Sequence, residues 1–241
     1  EVEGSTYTPT ALGSGSVLRQ NGKVKELVIP EQITRIELRT FTQAKALEIL
    51  VLPSTITAVG DSGMLTVQGS RALKKIAIET PAVKNLENSF SSSCINLKEV
   101  VLTDGLEQIG NYAFQGLPIE QIILPSTVTE IGESAFTDCV SLQSVTSVSG
   151  SQLTTIKVAA FSGCTKLSVL PDLSTVTFIG DDAFLGCISL TGHLDLASVT
   201  QFDEYEKWGS GAFSGCTGIT GVTLGTKLTE LPPKIFSGCT S

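Results

Sequence analysis

The stretch "VTEIGESAFTDC", Val128–Cys139, decides how this chain is read, because its parts keep returning. With the Phe as marker, Phe90, Phe114, Phe136, Phe161, Phe184, Phe213 and Phe236 follow one another at intervals of 24, 22, 25, 23, 29 and 23 residues. Phe41 and Met64 extend the series upstream at 23 and 26, giving nine markers. Five residues before the marker stands an aliphatic, as at Ile36, Val59, Ile109, Ile131, Ile156, Ile179 and Leu231. Four before it is often Gly: Gly60, Gly110, Gly132 and Gly180. Three after it comes Cys139, Cys164, Cys187, Cys216 or Cys239, with Cys94 slipped by one place. Self-similarity at a fixed period of 20–50 residues is the mark of a repeat architecture, and it takes precedence over any element-by-element reading.

The full unit reads L-x-x-V-x-L-P-x-x-V-T-x-I-G-x-x-A-F-x-x-C. "INLKEVVL" and "PIEQIIL" show its strand part, in which Val100 and Leu102 alternate with Glu99 and Val101, the period of a pleated strand. Pro53 and Pro125 follow such strands; they cannot extend a ladder and predict a turn. "VTEI" offers a second, shorter extended piece, Gly132 a sharp change of direction. "ESAFTDC" is expected to close one helical or 3₁₀ turn that drives Phe136 and Cys139 inward. A unit of this kind cannot bury its apolar face alone and needs a neighbour above and below. Nine coils at the spacing of paired strands, ~4.8 Å, stack to roughly 40 Å.

With these residues in place, the chain resembles the BspA-like leucine-rich repeat proteins, chiefly cell-surface proteins of gut and oral bacteria. The resemblance covers about residues 24–241 and rests on the joint I-G-x-x-A-F-x-x-C and L-x-x-V-x-L-P pattern. It implies a β-rich, right-handed leucine-rich-repeat superhelix with one parallel strand and one short helical turn per ~23-residue repeat. It also implies a lipid-anchored or secreted adhesin that binds a protein on host or neighbouring bacterial cells. The commoner leucine-rich repeat carries Asn after the strand; this chain does not, so an Asn ladder is not expected.

Composition narrows the function. Net charge is −8 and the pI about 4.7, against bulk nucleic-acid binding, which needs a basic face to neutralise phosphates. Apolar content is 41% but aromatic content only 6%, a core of branched aliphatics suited to thin stacked layers. No apolar run is long enough to span a membrane. The opening "EVEGSTYTPT" has no basic and apolar targeting pattern, which fits a mature domain after removal of such a segment. Residues 1–23 lie outside the repeat and read as a leader or linker; residues 24–241 read as the solenoid. Ser241 falls just before the next strand is due, so either more chain follows or the last coil pairs end to end with another copy.

No constellation carries catalysis. Five of the six cysteines share one repeat position and Cys94 is shifted by one, and stacked equivalents point the same way, which suits neither a disulfide nor four ligands converging on zinc; buried free thiols are expected. His193 is the one histidine and reads as a surface residue on or beside a strand. Asp181-Asp182 and Asp203-Glu204-Glu206 match no calcium loop and read as solvated charge. Arg71, Lys74, Lys75 and Lys84 form a local basic cluster, also read as a solvated face. A glycan hydrolase would need paired carboxylates in a deep cleft, and no acid pair stands apart from the repeat. No cofactor or metal is called for.

Two binding candidates remain. In L-x-x-V-x-L the residue before the last Leu points outward, and Val28, Val51, Ala77, Val101 and Ile123, joined by Ile49, should stack into an exposed apolar stripe. The competing reading is that branched residues simply suit strands. Beyond Ile123 the column turns polar at Thr146, so a protein partner should favour the N-terminal half. The second candidate is Tyr205 and Trp208 in the 29-residue unit, placed where repeat proteins carry recognition elements; as stacking platforms they would serve a glycan-binding module, and otherwise they cover the core beside the insertion.

Overall fold

The computed structural model describes residues 11–13, 23–37, 39–90, 93–203 and 209–239. Most coils contribute one strand to each of two faces, the coils at Val169 and Asn85 joining one face only by an isolated bridge, and every strand pairing is parallel. The first face carries β2 (Glu26–Leu27), β4 (Ile49–Leu52), β6 (Lys75–Ile78), β7 (Glu99–Val101), β9 (Gln121–Leu124), β11 (Ser144–Ser147), β14 (Thr191–Leu196) and β16 (Gly218–Leu224). The second carries β1 (Ala11–Leu12), β3 (Arg35–Ile36), β5 (Ala58–Val59), β8 (Gln108–Ile109), β10 (Glu130–Ile131), β12 (Thr155–Ile156), β13 (Phe178–Ile179) and β15 (Gln201–Phe202). Register advances by one repeat at each step: Ile109 pairs with Ile131, Ile131 with Ile156, Ile156 with Ile179 and Ile179 with Phe202. Two-residue strands persist here because they are bonded into the stack, β3, β10, β12 and β13 both above and below, so the stack supplies the cooperativity that a single coil lacks.

The core is a set of columns running along the stack. Seven Phe rings, from Phe90 to Phe236, lie in one file, neighbouring centroids 5.0 to 5.5 Å apart and planes inclined by 5° to 19°. The separations sit in the range of offset aromatic pairs, which adds to the burial of each ring. The thiols form a second file and are all free, five of them buried. Each donates to a main-chain oxygen of the preceding coil: Cys139 Sγ to Phe114 O at 3.0 Å, Cys164 to Phe136 O at 3.0 Å, Cys187 to Phe161 O at 3.2 Å and Cys216 to Phe184 O at 3.1 Å. The repeat thus holds Cys because a small apolar side chain with one weak donor fits beside a buried carbonyl. Ser70 does the same for Phe41 O, at 3.0 Å.

The corner differs from expectation. No helical turn forms over "ESAFTDC"; residues 133–138 run as consecutive turns. Alternate amides are drawn out of the chain: Ser134, Phe136 and Asp138 N–H donate to Val158, Ala160 and Ser162 O of the next coil, while Ala135, Thr137 and Cys139 donate three residues back. A helix would need all of these amides for itself. To aim alternate amides along the stack, the residues two before and two after the Phe adopt positive φ, 52° at Ser134 and 59° at Asp138. The pattern repeats at Tyr112 and Gly116, Ala159 and Gly163, and Asp182 and Gly186.

Gly132 serves a different purpose from the one its sequence context predicts. Its φ is not positive; instead a Cβ there would stand 2.6 Å from Asn111 N, so the position must be Gly to let two coils touch. The prolines behave as expected, Pro53 O and Pro125 O accepting from Ile56 and Val128 N–H to close turns. The stack makes about eight turns, because nine corners bound eight intervals. Its ladder also starts earlier than residue 24: β1 pairs with β3, and Thr40 Oγ1 donates to Gly13 O.

Candidate functional site

The first face is set by strand alternation. Leu50, Leu52, Ile76, Ile78, Val100, Ile122 and Leu124 turn inward and are buried, which turns their neighbours outward. Register then aligns Val51, Ala77 and Val101 in one row, and Ile123 with Thr146 in the next pair. Val28, Val101 and Ile123 are 75%, 42% and 59% exposed. Ile49 and Val51 are half-buried. Ala77 corrects the expectation of a continuous exposed stripe: it is only 3% exposed. Its side chain is a single methyl, and Val51 and Val101 on the adjoining strands overshadow it. The row is therefore a ridge with a notch, and it turns polar at the exposed Thr146 as expected.

Ion pairs border the ridge. Lys74 Nζ lies 2.6 Å and Lys25 Nζ 3.0 Å from the Glu48 carboxylate, and Lys75 lies 2.5 Å from Glu99; Lys84, 3.1 Å from Glu107, belongs to the second face, beside β8. The hydrogen bond from Lys74, then that from Lys25, holds the Glu48 carboxyl below its ordinary range. Three members of the basic cluster, Lys74, Lys75 and Lys84, thus sit on acidic partners. These exposed pairs add little stability but give the ridge a charged, balanced border.

Tyr205 and Trp208 lie outside the described residues. The base of their insertion is described, and it corrects the reading of Asp181 and Asp182 as solvated charge. Asp181 is buried, 8% exposed, and its Oδ1 accepts from Gly211 and Asp182 N–H at 3.1 and 3.0 Å. Asp182 Oδ1 accepts from Ser210 N–H at 2.8 Å. The two carboxylates tie the returning chain to the coil beneath. Burial, with Asp182 adding repulsion, raises the Asp181 pKa. Among the described residues no group of acidic, His or Cys side chains is arranged to hold a metal.

His193 stands exposed on β14, its Nε2 2.7 Å from Thr223 Oγ1. Sequence reasoning missed three exposed apolar residues in alternate coils: Ile95, Val140 and Ile188 are each exposed by just over half, and each directly follows a cysteine of the repeat. That shared position was the available signal. It also missed a cleft of about 410 Å³ on the first face between residues 168–174 and β14.

A parallel solenoid of short coils, with stacked Phe and Cys files and an outward strand face, defines a leucine-rich repeat protein. The BspA type leucine rich repeat region, in 6 copies, matches residues 15–143, 66–191 and 191–241, and the chain belongs to that family. A leucine-rich repeat protein of Bacteroides ovatus is 21% identical over 92% of this chain and 66% of its own, with a TM-score of 0.57. The leucine rich repeat protein of T. pallidum is 26% identical over 71% of this chain and 80% of its own, also at 0.57. A leucine-rich repeat protein of Eubacterium ventriosum is 20% identical over 89% and 58%, at 0.55. The chain thus spans 66% and 58% of the length of the Bacteroides and Eubacterium proteins. No curated protein matches the chain. Repeat proteins of this family are modules typically used for protein interaction.

Proposed function

We propose that the chain is a non-catalytic, adhesin-like interaction module that grips a protein on host or bacterial cells with the N-terminal half of its first strand face, at the cell surface or secreted. The observation that carries this reading is the ridge of Val28, just past β2, with Val101 on β7 and Ile123 on β9, apolar side chains at 75%, 42% and 59% exposure. Exposed apolar groups set in a polar border mark interaction surfaces. The lysine–glutamate border supplies both signs of charge for register.

The test is a paired substitution, Val101→Lys with Ile123→Lys, on side chains that point away from the core. Capture of partners from host-cell and bacterial surface extracts should fall at least tenfold while the melting temperature stays within a few degrees. Capture that survives the double substitution would remove the ridge from the binding surface.

A further inference from the structure

The first-face ladder breaks between β7 and β9 and again between residues 168–174 and β14; the second break lies over an apolar floor, and the sequence shows why. "LSVLPDLSTV" (Leu167–Val176) and "LTGHLDLASV" (Leu190–Val199) align without a gap. At the fourth position, where the repeat wants an inward aliphatic, the first coil has Leu170 and the second His193. The next residue is Pro171, with no N–H to give, against Leu194. In β14, His193 faces out and Leu194 is half-buried, while in the coil beneath Leu170 is half-buried and Pro171 buried, so in both coils the fourth position has slipped out of the core and the fifth turns inward. The slip is absorbed on the far side, where β14 pairs with β16 through a bulge between Gly192 and His193. The imidazole leans toward β16, over Gly221, whose absent side chain leaves it room.

Between the Ser189 hydroxyl on Thr165 O and the Ser198 hydroxyl on Ser174 O, no main-chain hydrogen bond joins these two coils among the described residues. Yet the coils stay closed at the corner, with the Phe161 and Phe184 rings 5.2 Å apart. The result is a wedge opening on the strand face, about 410 Å³ in volume. Its floor is apolar, with Leu170, Leu190 and Leu194, and its rim carries Asp172 and Asp195. These two occupy the same position in consecutive coils. Each spends one oxygen on the turn that follows it, Asp172 Oδ1 on Ser174 N–H at 2.9 Å and Asp195 Oδ1 on Ala197 N–H at 3.0 Å, leaving the other oxygen for a ligand.

We propose that this cleft takes a short extended segment of another polypeptide, added as a strand along the open edge of β14, with a lysine or arginine of the incoming segment lying between Asp172 and Asp195. An unpaired strand edge offers a row of main-chain donors and acceptors that an extended backbone matches. The paired carboxylates select a cation, and the apolar floor takes an alternate side chain of the same segment. The site lies beyond Ile123, in the half of the face where the ridge has ended, and does not depend on it.

The probe is the peptide Ac-Thr-Val-Lys-Val-Thr-NH₂, titrated into the full chain with amide resonances followed by NMR. Shifts are expected in Ser168–Ser174 and Thr191–Leu196. Replacing the peptide lysine with glutamate, or N-methylating its valine amides, should weaken binding at least tenfold. Asp172→Asn with Asp195→Asn should do the same; Asn keeps the oxygen that closes each turn, so the fold is retained, as the unchanged remainder of the spectrum would show. Val101→Lys with Ile123→Lys should leave peptide binding unchanged, which separates this site from the ridge. No shifts at millimolar peptide, equal binding of the N-methylated peptide, or shifts in these residues caused by a chito-oligosaccharide but not by the peptide would each overturn the proposal.

Discussion

The thiol of each repeat is small, buried and bonded to the carbonyl beside it, and this fixes its chemistry. Burial pushes the Cys94 pKa up to about 11 and those of Cys139 and Cys216 up to about 12, with Cys164 and Cys187 raised as well. The thiolate is the reactive form. At pH 8 a disulfide reagent should therefore modify the half-buried Cys239 first and the other five only as the chain unfolds, reaching six groups in denaturant. Prompt reaction of several thiols in the folded chain would contradict this burial. Cys164→Ala removes the thiol donor from Phe136 O, which keeps Cys139 N–H, and should cost about 0.5–1.5 kcal/mol in denaturant unfolding; Cys164→Ser, which follows the example of Ser70, should cost less. Backbone sign matters at the same scale. Ala159 has φ 53° and Gly163 φ 74°, and a Cβ on Gly163 would stand 2.5 Å from Asp138 Oδ1. Ala159→Gly should hold or raise the melting temperature, and Gly163→Ala should lower it, at a stability cost of about 1 kcal/mol or more. The reverse order would mean that the corner does not have these dihedrals.

At the scale of the element, the sequence made the columns legible and the corner backbone illegible. An Ala-Phe pair followed by Cys three residues on fits one helical turn as well as it fits alternate amides aimed along the stack. What decides between them is the next coil, whose carbonyls at Val158, Ala160 and Ser162 are more than twenty residues away in the chain. Ala77 was misread for a similar reason: its direction follows from strand alternation, but its exposure follows from the size of Val51 and Val101 beside it. Asp181 shows the limit most plainly, because an acidic pair in a local window looks solvated until the insertion returns and lays Gly211 N–H on it. That burial makes a pH prediction. The folded chain holds the Asp181 proton more tightly than the unfolded chain, so this group contributes stability below the ordinary Asp value, about 3.9, and loses it as pH rises through the raised folded value. Asp181→Asn keeps the acceptor oxygen without the charge. It should melt above the wild-type chain at pH 7, and the two should converge near pH 3; a variant less stable at pH 7 would show that the charge itself anchors the insertion.

Over the whole molecule, the repeat period was the strongest signal in the sequence, since it rests on nine markers rather than on any one motif. The strand face followed from it, and with that face the ridge of Val28, Val101 and Ile123. The wedge at Pro171 and His193 was also written in the alignment of two adjacent coils, as a departure from the unit rather than as the unit itself. All of these surfaces exist only if each coil is bonded to the next at the corner as well as along its strands. Through-bond couplings across hydrogen bonds, measured by NMR between amide nitrogen and carbonyl carbon, report those bonds one at a time. The expected couplings join Phe114 N to Ala135 C, Phe136 N to Ala160 C, and Phe161 N to Ala183 C. Couplings from these same nitrogens to carbonyls four residues back, with none between coils, would replace the laddered corner with a helix and contradict the stack described here.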